Sequence, residues 1–371
     1  MLLEENKPLA PFTTFGIGGP TRWFAQAASE DDIAEAAAWA RAHGVPMFVL
    51  GGGSNLLVAD TGFPGLVLHI ALRGITLAHE GDAALYRVAA GEDWDTFVQH
   101  TVNENCAGLE CLAGIPGTVG GTPVQNVGAY GQEVASAIDH VRAFDTVTES
   151  FVEFAAADCA FAYRRSRFNS TDRGRYIVTR VDYRLTPGGA PTLRYVDLQR
   201  AFPAGSGAGL AEVVEAVRRI RQSKGMLLIE GDPDCHSAGS FFKNPIVTEE
   251  QIKYITAVAA KDPPRFPAGS GPASAGRVKV PAAWLIEQAG YVKGFARGRA
   301  AISTRHTLAL TNRGQATAAE VLALAEEIAR AVEARFGLRL EREPVLLGFE
   351  TDSVSPYGRV TPEVEQKTTP R

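Results

Sequence analysis

Short apolar runs and one amphipathic stripe alternate over the first seventy residues of the chain. Four runs are typical of buried strands: 22–25, 47–50, 56–59 and 66–70. Between the first two, apolar residues recur on one helical face: Ile33, Ala36, Ala37 and Ala40. Ser29 with Asp32 three residues later resembles a capping box, and Gly44 supplies a stop. The pattern predicts a small α/β unit.

The pattern changes near residue 80, where longer strands alternate with a helix. Strands are expected at 85–90 and 176–181, a hairpin over 141–154, and a helix beginning near Asp95. The segment 202–207 is rich in glycine and reads as a linker. This region therefore predicts a second mixed unit.

Helices dominate the third region, from about 208 to 345. Their starts are predicted at Leu210, Thr248, Pro281 and Thr317, and Thr248 pairs with Gln251 as a capping box. The last start pairs with Glu320 as a capping box, and its apolar stripe runs to Gly337. We expect a third unit built on these helices.

Composition narrows the class of protein. The chain has 371 residues, 45% of them apolar and 21% charged, with a formal net charge of −5. This is an ordinary globular composition, large enough for two or three domains, without the basic excess of a nucleic-acid binder. No apolar run reaches 18 residues, and the start does not resemble a signal peptide. Four cysteines without a C-x-x-C pattern favour a reduced cytosolic protein.

Residues 50–57, Leu-Gly-Gly-Gly-Ser-Asn-Leu-Leu, join two predicted strands. The consecutive N–H groups of 51–53, with the side chains of Ser54 and Asn55, can form a nest for a diphosphate. A tight strand-to-strand turn explains the same residues equally well. A Rossmann site is not favoured, because Leu56 stands where its last glycine belongs and no helix follows.

A second glycine-rich loop covers residues 113–131. Glycine stands at 114, 117, 120, 121, 128 and 131. A structural turn does not need so many glycines, because each one costs conformational entropy on folding. Two such loops, about sixty residues apart, can clamp one long dinucleotide between two units. The sequence therefore favours a nucleotide cofactor.

Six motifs carry a family resemblance. The segments LGGGSNLL and AGIPGTVGG resemble the flavin-binding fold of the p-cresol methylhydroxylase (PCMH)/vanillyl-alcohol oxidase superfamily. Downstream, AYRRS, AGSFFKNP, VPAAWLIEQAG and LEREPVLLG resemble the UDP-N-acetylenolpyruvoylglucosamine reductase (MurB) family. The resemblance covers about residues 8–350, in order. It implies an NADPH-dependent flavoenzyme of peptidoglycan precursor synthesis that acts on a UDP-sugar. We expect it to be a cytoplasmic monomer.

The resemblance also implies an architecture, a mixed α+β fold of the PCMH type. One FAD-binding subdomain comprises 1–75 together with the chain end near 340–355, a second comprises 76–205, and 206–340 bind the substrate. The polar tail 351–371 is expected to lack fixed structure. FAD is expected to be noncovalent, because the first loop holds no His or Cys and the family carries no link at Cys106 or Cys111.

The cofactor contacts that the resemblance implies lie in the two loops and one strand. They are Gly51, Gly52, Gly53, Ser54, Asn55, Leu56, Gly114, Ile115, Pro116, Gly117, Thr118, Gly120, Gly121, Asn126, Gly128, Ala129, Tyr130 and Ile177.

The family's reaction reduces a vinyl ether double bond next to a carboxylate, so it needs a fixed cation, a proton donor and an orienting acid. The resemblance assigns these roles to Arg164, Ser240 and Glu343 in turn, with Glu341 as the fallback for the acid. From the residues alone, each has a more frequent structural explanation: a solvated surface arginine for Arg164, a turn serine for Ser240 and a solvated acidic edge for Glu343. Arg165 occupies the variable position of the family motif, and its charge has no explanation.

The resemblance assigns four substrate contacts: Tyr195, Lys224, Asn244 and Gln288. Lys224 matches a lysine near the diphosphate, and Tyr195 matches a tyrosine that closes over the substrate. The run 234–236, Asp-Cys-His, does not predict a metal site, because adjacent residues seldom ligate one ion. The remaining histidines, including His306, are expected to be structural or on the surface.

Two other functions use the same cofactor fold. An FAD-dependent oxidase of a small alcohol or sugar acid usually carries a different third domain, so AGSFFKNP and Glu343 disfavour it. A noncatalytic UDP-sugar-binding protein is disfavoured by the joint presence of Arg164, Ser240 and Glu343.

Overall fold

The computed structural model describes residues 1–268 and 276–349, and the expectation for the tail 351–371 lies outside them. The first region contains five strands and one helix: β1 (Glu4–Pro8), β2 (Pro20–Ala27), α1 (Glu30–Ala42), β3 (Met47–Leu50), β4 (Leu56–Val58) and β5 (Phe63–Ile70). Four of the strands form a sheet in the order β1-β2-β5-β3, in which β5 runs parallel to β2 and β3. The predicted capping box of α1 at Ser29 and Asp32 is confirmed.

The second region is built on a larger sheet. Its elements are β6 (Ile75–Glu80), β7 (Ala83–Ala89), α2 (Trp94–Asn103), β8 (Cys106–Ala107), β9 (Gly128–Ala129), β10 (Gln132–Glu133), β11 (Ile138–Asp145), β12 (Ser150–Ala155), β13 (Tyr176–Pro187), α3 (Val196–Ala201) and α4 (Leu210–Ser223). The strand order is β12-β11-β13-β7-β6, and β8 pairs with the end of β13. The hairpin predicted over 141–154 is the antiparallel pair β11 and β12.

The third region combines short strands with three helices. They are β14 (Ile246–Thr248), α5 (Glu249–Ala259), β15 (Phe266–Pro267), β16 (Arg277–Lys279), α6 (Ala282–Gln288), β17 (Ala296–Arg297), β18 (Ala300–Ile302), β19 (Leu310–Asn312), α7 (Ala318–Phe336) and β20 (Val345–Leu347). The capping boxes predicted at Thr248 and Thr317 are confirmed. Helix α7 ends at Gly337, whose φ of +64° suits the glycine there.

Strand β20 carries the end of the described chain back to the first region. It pairs in parallel with β4, with Val345 opposite Leu56 and Leu347 opposite Val58. Leu57 points the other way and joins the buried apolar cluster of the third region, because neighbouring strand residues face opposite sides. This pairing brings the residues just before β20 beside the first glycine loop.

The buried apolar residues form three clusters: a large one under the first two regions that includes the buried face of α4, a second mostly within the third region, and a small one in the first region that includes Leu56, Val58 and Leu347. No helix in residues 1–268 and 276–349 is both long enough and apolar enough to cross a bilayer. The four cysteines are buried as free thiols.

Candidate active site

A cavity of about 1400 Å³ lies where the three regions meet. Both glycine loops line it, as do the turn that holds Arg164, the segment that holds Ser240, and Glu343. Ligand pockets commonly measure about 300–1000 Å³. This cavity therefore has room for more than one small ligand.

The two glycine loops pack directly against each other along one wall of the cavity. A Cβ at Gly52 would lie 2.6 Å from the Cα of Gly117, and a Cβ at Gly51 would lie 2.7 Å from Oγ1 of Thr118. Gly53 has a φ of +60°, and a Cβ there would collide with the carbonyl of Phe12. Backbone approach thus requires glycine at 52 and 53, whereas Gly51 faces a side-chain hydroxyl. The contact of Gly52 with the second loop is one that a strand-to-strand turn alone does not explain.

The first loop presents unused donors. The backbone N–H groups of Gly52, Gly53 and Ser54 donate to no acceptor among residues 1–268 and 276–349. Consecutive free N–H groups form an anion-binding concavity. The loop therefore fits a diphosphate, the central group of a dinucleotide.

Arg221 is a cavity residue that the sequence analysis missed. It is only 8% exposed, its Nε donates to the carbonyl of Gly114 at 2.9 Å, and its Nη2 donates to the carbonyl of Met226 at 2.5 Å. Burial lowers its pKa, and no carboxylate lies within ion-pair distance in the described part of the chain. A buried cation without a carboxylate partner beside these loops fits an anionic ligand.

The sequence did hold a signal for Arg221. It follows Leu210, Val214 and Val217 at helical spacing, so it continues the buried face of α4. A charged residue on such a face needs a partner, and a bound anion supplies one.

Arg164 lies in a two-residue turn that is closed by the backbone pair Ala162 and Arg165. Its φ is +55°, an uncommon conformation for a residue with a side chain. Its Nη1 donates to the carbonyl of Gly128 at 3.1 Å, and its Nε lies 2.8 Å from Oε1 of Glu343. The Nε–H is not directed at that oxygen and has no hydrogen-bond partner among the described residues. Arg165 is exposed outside the cavity lining.

Glu343 is held between the first loop and the serine segment. Its N–H donates to the carbonyl of Phe241 at 2.9 Å, and its carbonyl accepts the side-chain amide of Asn55 at 3.3 Å. Burial raises the pKa of the Glu343 carboxyl, and the nearby charges of Arg164 and Lys243 oppose that effect.

Glu341, the alternative acid, lies outside the cavity lining. Its side chain is 72% exposed and pairs with Lys243 at 2.5 Å, whereas the Glu343 side chain is 11% exposed. The structure thus brings Glu343 to the cavity and leaves Glu341 at the surface.

Ser240 lies close to Glu343 in the structure, because it precedes Phe241, whose carbonyl accepts the N–H of Glu343. It forms a backbone bridge with Ala309, and the next N–H donates to the carbonyl of Leu308 at 2.7 Å. The Ser240 side chain lines the cavity, and its hydroxyl makes no hydrogen bond within residues 1–268 and 276–349. It is therefore free to interact with a ligand.

Two tyrosines and a lysine form another wall of the cavity. The rings of Tyr130 and Tyr195 meet edge to face with centroids 5.2 Å apart. The Nζ of Lys224 lies 5.6 and 5.4 Å from the same two centroids and 3.5 Å from Oδ2 of Asp197. An ammonium held in this way, 28% exposed at the cavity, can bind an anionic group of a ligand.

The structure does not bring every predicted contact to the cavity. Gln288 ends α6 outside the lining, whereas Asn244 lines the cavity and accepts the N–H of Ala282 at 2.9 Å. Gly114 lines a smaller adjoining cavity of about 400 Å³. Asn126 is 1% exposed and lies behind the cavity wall. The other predicted cofactor residues, Ile177 among them, line the large cavity.

His306 lines the cavity, contrary to the expectation that it is structural or on the surface. Its Nδ1 accepts the N–H of Leu308 at 3.0 Å, which leaves the proton of the neutral ring on Nε2. Burial, with the charges of Lys224 and Lys293, lowers the pKa of His306 to about 4. The ring is therefore neutral near pH 7.

Asp234 has a structural role. It is 2% exposed, accepts the N–H of Thr304 at 3.0 Å and pairs with Arg305 and Arg313. Its carboxylate fixes the segment before Ser240 to the loop that precedes His306.

Comparisons with known proteins agree with this geometry. A family model described as an FAD binding domain matches residues 21–150, and one for the C-terminal domain of UDP-N-acetylenolpyruvoylglucosamine reductase matches 232–347. A protein of Streptomyces coelicolor with that reductase name is 47% identical, covering 93% of this chain and 90% of its own. One of Thermobifida fusca is 44% identical, covering 93% and 98%.

A solved structure is also similar. The crystal structure of UDP-N-acetylenolpyruvylglucosamine reductase from Thermus caldophilus matches with a TM-score of 0.63 and 28% identity. The match covers 93% of this chain and 100% of that one. The mixed α+β fold expected from the sequence is thereby confirmed.

Proposed function

The chain belongs to the family of UDP-N-acetylenolpyruvoylglucosamine reductases, and on that premise we propose that it reduces the enolpyruvyl group of UDP-N-acetylglucosamine enolpyruvate to give UDP-N-acetylmuramate. FAD is the cofactor and NADPH the reductant of this step in peptidoglycan precursor synthesis. One observation carries the proposal: Arg164, Ser240 and Glu343, from three distant stretches of the chain, line one cavity together with both glycine loops.

The residues present fit a bound FAD. The free N–H groups of Gly52 and Gly53 and the buried guanidinium of Arg221 suit its diphosphate. FAD held there would supply the hydride-transfer chemistry that links NADPH to the substrate's double bond. Noncovalent binding is supported because Cys106 and Cys111 are buried away from the cavity lining, and burial raises the pKa of the Cys111 thiol to about 12.

Arg164 binds the carboxylate of the enolpyruvyl group in this proposal. A guanidinium stays charged and can grip a carboxylate with two parallel hydrogen bonds. Its Nε is buried against Glu343, whereas its Nη2 makes no hydrogen bond within residues 1–268 and 276–349 and is the donor available to a ligand. Negative charge that develops on the carboxylate side during reduction is stabilised there by a cation that is already in place.

Glu343 orients the same end of the substrate. Its carboxyl is buried beside Arg164, and its raised pKa favours a proton on the carboxyl at a higher pH than for an exposed glutamate. A carboxyl in that state can donate a hydrogen bond to the developing enediolate. Its role is to polarise the substrate and hold it against Arg164.

Ser240 donates the proton that completes the reduction. Serine is a weak acid in water, but a carbanion beside it is a strong enough base to take the hydroxyl proton. The Ser240 hydroxyl has no acceptor in the described part of the chain, so it can turn toward the substrate carbon. Ser240 therefore acts after the hydride has reached the substrate.

Lys224, Tyr195 and Asn244 bind the rest of the substrate, with Lys224 on the diphosphate. The contact between Lys224 and Asp197 at 3.5 Å keeps the ammonium at the cavity wall beside the tyrosines. The same cavity receives NADPH and the UDP-sugar in turn. Gln288 has no part in this proposal.

The wider setting follows from the chemistry. We place the enzyme in the cytoplasm, because its thiols are unpaired and its substrates are nucleotides. We expect a monomer, because all three reacting side chains come from one chain. We propose the division into 1–75, 76–205 and 206–340 for its domains, with β20 returning to the first part. Helix α4, at the start of the third part, packs against the second.

An anaerobic colour test examines the proposal. The purified protein should be yellow and should release its flavin on acid precipitation. NADPH should bleach it, and UDP-N-acetylglucosamine enolpyruvate should restore the colour rapidly. Rapid return of colour in air without that substrate indicates an oxidase instead, and a protein that cannot take up FAD indicates a noncatalytic binder.

A further inference from the structure

Asn126 lies in the second glycine loop, yet its place differs from that of its neighbours. It is 1% exposed and does not line the cavity, whereas Gln125 and Val127 on either side do. Its backbone is held at a φ of +45°, which asparagine tolerates better than most residues. A cofactor contact therefore does not account for the residue.

The amide of Asn126 is used entirely within the protein. Its Nδ2 donates to the carbonyl of Ala162 at 3.1 Å and to Oε2 of Glu133 at 3.0 Å. Its Oδ1 accepts the N–H of Ala135 at 3.1 Å. A buried amide with all these bonds is a fixed junction between three backbone segments.

Two of these partners define where Arg164 lies. Ala162 closes the turn that contains Arg164, with backbone bonds of 2.9 and 3.0 Å to Arg165. Glu133 is paired in the sheet with Gly128, whose carbonyl accepts Nη1 of Arg164. One side chain is thus bonded to the turn that carries the guanidinium and to the strand pair that receives it.

We propose that Asn126 is a positioning residue for Arg164. It holds the turn at Ala162 at a fixed distance from the β9–β10 pair, and so directs the guanidinium toward Glu343 and the cavity. The proposal rests on the proposed function only for the role of Arg164. Asn169 supports the same turn from the other side, where its Nδ2 donates to the carbonyl of Arg164 at 3.2 Å.

Asn126→Gly tests the proposal, because glycine keeps the positive φ accessible and removes all three bonds. We expect full flavin content and an unchanged rate of bleaching by NADPH. Reoxidation by the substrate should be about 10- to 100-fold slower, as expected when a catalytic group shifts by about 1 Å. Asn126→Asp is the second variant, since it keeps the shape and the acceptor but turns a carboxylate toward Glu133.

Asn312→Ala is the matched control. Asn312 is also a buried asparagine with three bonds to backbone, and it lies outside the cavity lining. It should lower the melting temperature without changing either half-reaction. Loss of flavin in both Asn126 variants, failure of both to fold, or an unchanged reoxidation rate would each overturn the proposal.

A double-mutant cycle with Arg164→Met separates positioning from a general loss of stability. If Asn126 acts through Arg164, Asn126→Gly adds no further slowing in the Arg164→Met background. If the factors by which the two single variants slow reoxidation multiply in the double variant, Asn126 acts on something other than Arg164, and the proposal fails. If Arg164→Met alone leaves reoxidation unchanged, the role of Arg164 in the proposed function is what fails.

Discussion

The Nε atom of Arg164 lies 2.8 Å from Oε1 of Glu343, yet its N–H is not directed at that oxygen. The guanidinium charge opposes the rise in the pKa of the Glu343 carboxyl that burial causes. The Nη2 of Arg164 makes no hydrogen bond within residues 1–268 and 276–349, so it is the donor left for an incoming carboxylate, and a protonated Glu343 carboxyl can donate to a substrate oxygen. In the proposed function, this pair stabilises the charge that develops on a carboxylate during reduction.

Replacing Arg164 by methionine should slow the step that uses the substrate. Methionine preserves much of the length of the side chain but removes the charge that stabilises the developing enediolate, so we expect reoxidation by the substrate to fall about 100- to 1000-fold. Bleaching by NADPH should be nearly unchanged. Arg165→Met, at the exposed neighbour, is the matched control and should leave both rates intact. Equal losses for the two variants would contradict the role of Arg164.

The pKa of Glu343 predicts a pH dependence of stability. Its folded pKa is raised by burial, so its contribution is fully present below the unfolded value and decreases as pH rises through the folded value. In Glu343→Gln the same position does not titrate. The unfolding free energy of the wild type minus that of Glu343→Gln should therefore decrease between pH 5 and pH 8, as measured by urea titrations. The charges of Arg164, Lys243 and Glu341 affect the Glu343 carboxyl, and all three residues are present in both proteins. A difference that rises with pH would contradict the direction.

Gly52→Ala should reduce flavin binding. The added methyl would lie 2.6 Å from the Cα of Gly117, so the two loops must separate. We expect lower flavin content and a lower melting temperature of the flavin-free protein. Gly121→Ala is the comparison for stability, since its methyl meets no atom of residues 1–268 and 276–349 within 4 Å and should leave that temperature unchanged. Full flavin content in Gly52→Ala would show that the loops do not form the cofactor cradle.

Lys224→Met should raise the KM for the UDP-sugar more than it lowers kcat. Loss of a charged hydrogen bond costs about 1.5–3 kcal/mol, which corresponds to roughly 10- to 100-fold in affinity. Steady-state kinetics measure both parameters. Lys253→Met removes the same charge from the exposed face of α5 and serves as the control. A KM equal to that of this control would exclude Lys224 from substrate binding.

Local sequence signals predicted most of the elements. The capping boxes at Ser29, Thr248 and Thr317 depend only on residues three apart, so they could be read directly. The parallel pairing of β20 with β4 joins residues nearly three hundred positions apart, and no local pattern indicates it. Only the family resemblance predicts that the chain end returns to the first region.

The site was less accessible to sequence reasoning. The family motifs indicated Arg164, Ser240 and Glu343, with Glu341 as the fallback, and the residues themselves do not show that Glu343 is buried and Glu341 exposed. Arg221 was missed because the carbonyls that surround it come from elsewhere in the chain. Asn126 was assigned to the cofactor by its position in the loop, and its bonds to Ala162 and Glu133 depend on how distant turns pack.

The most direct measurement is the pair of half-reaction rates of Ser240→Ala, followed anaerobically by stopped-flow absorbance of the flavin. Bleaching by NADPH should proceed as in the wild type, because it needs no proton from Ser240. Return of colour with UDP-N-acetylglucosamine enolpyruvate should be about 100- to 10,000-fold slower, the range for loss of a positioned acid. Impaired bleaching with normal return of colour would contradict the assignment of the proton donor and, with it, the account of this cavity.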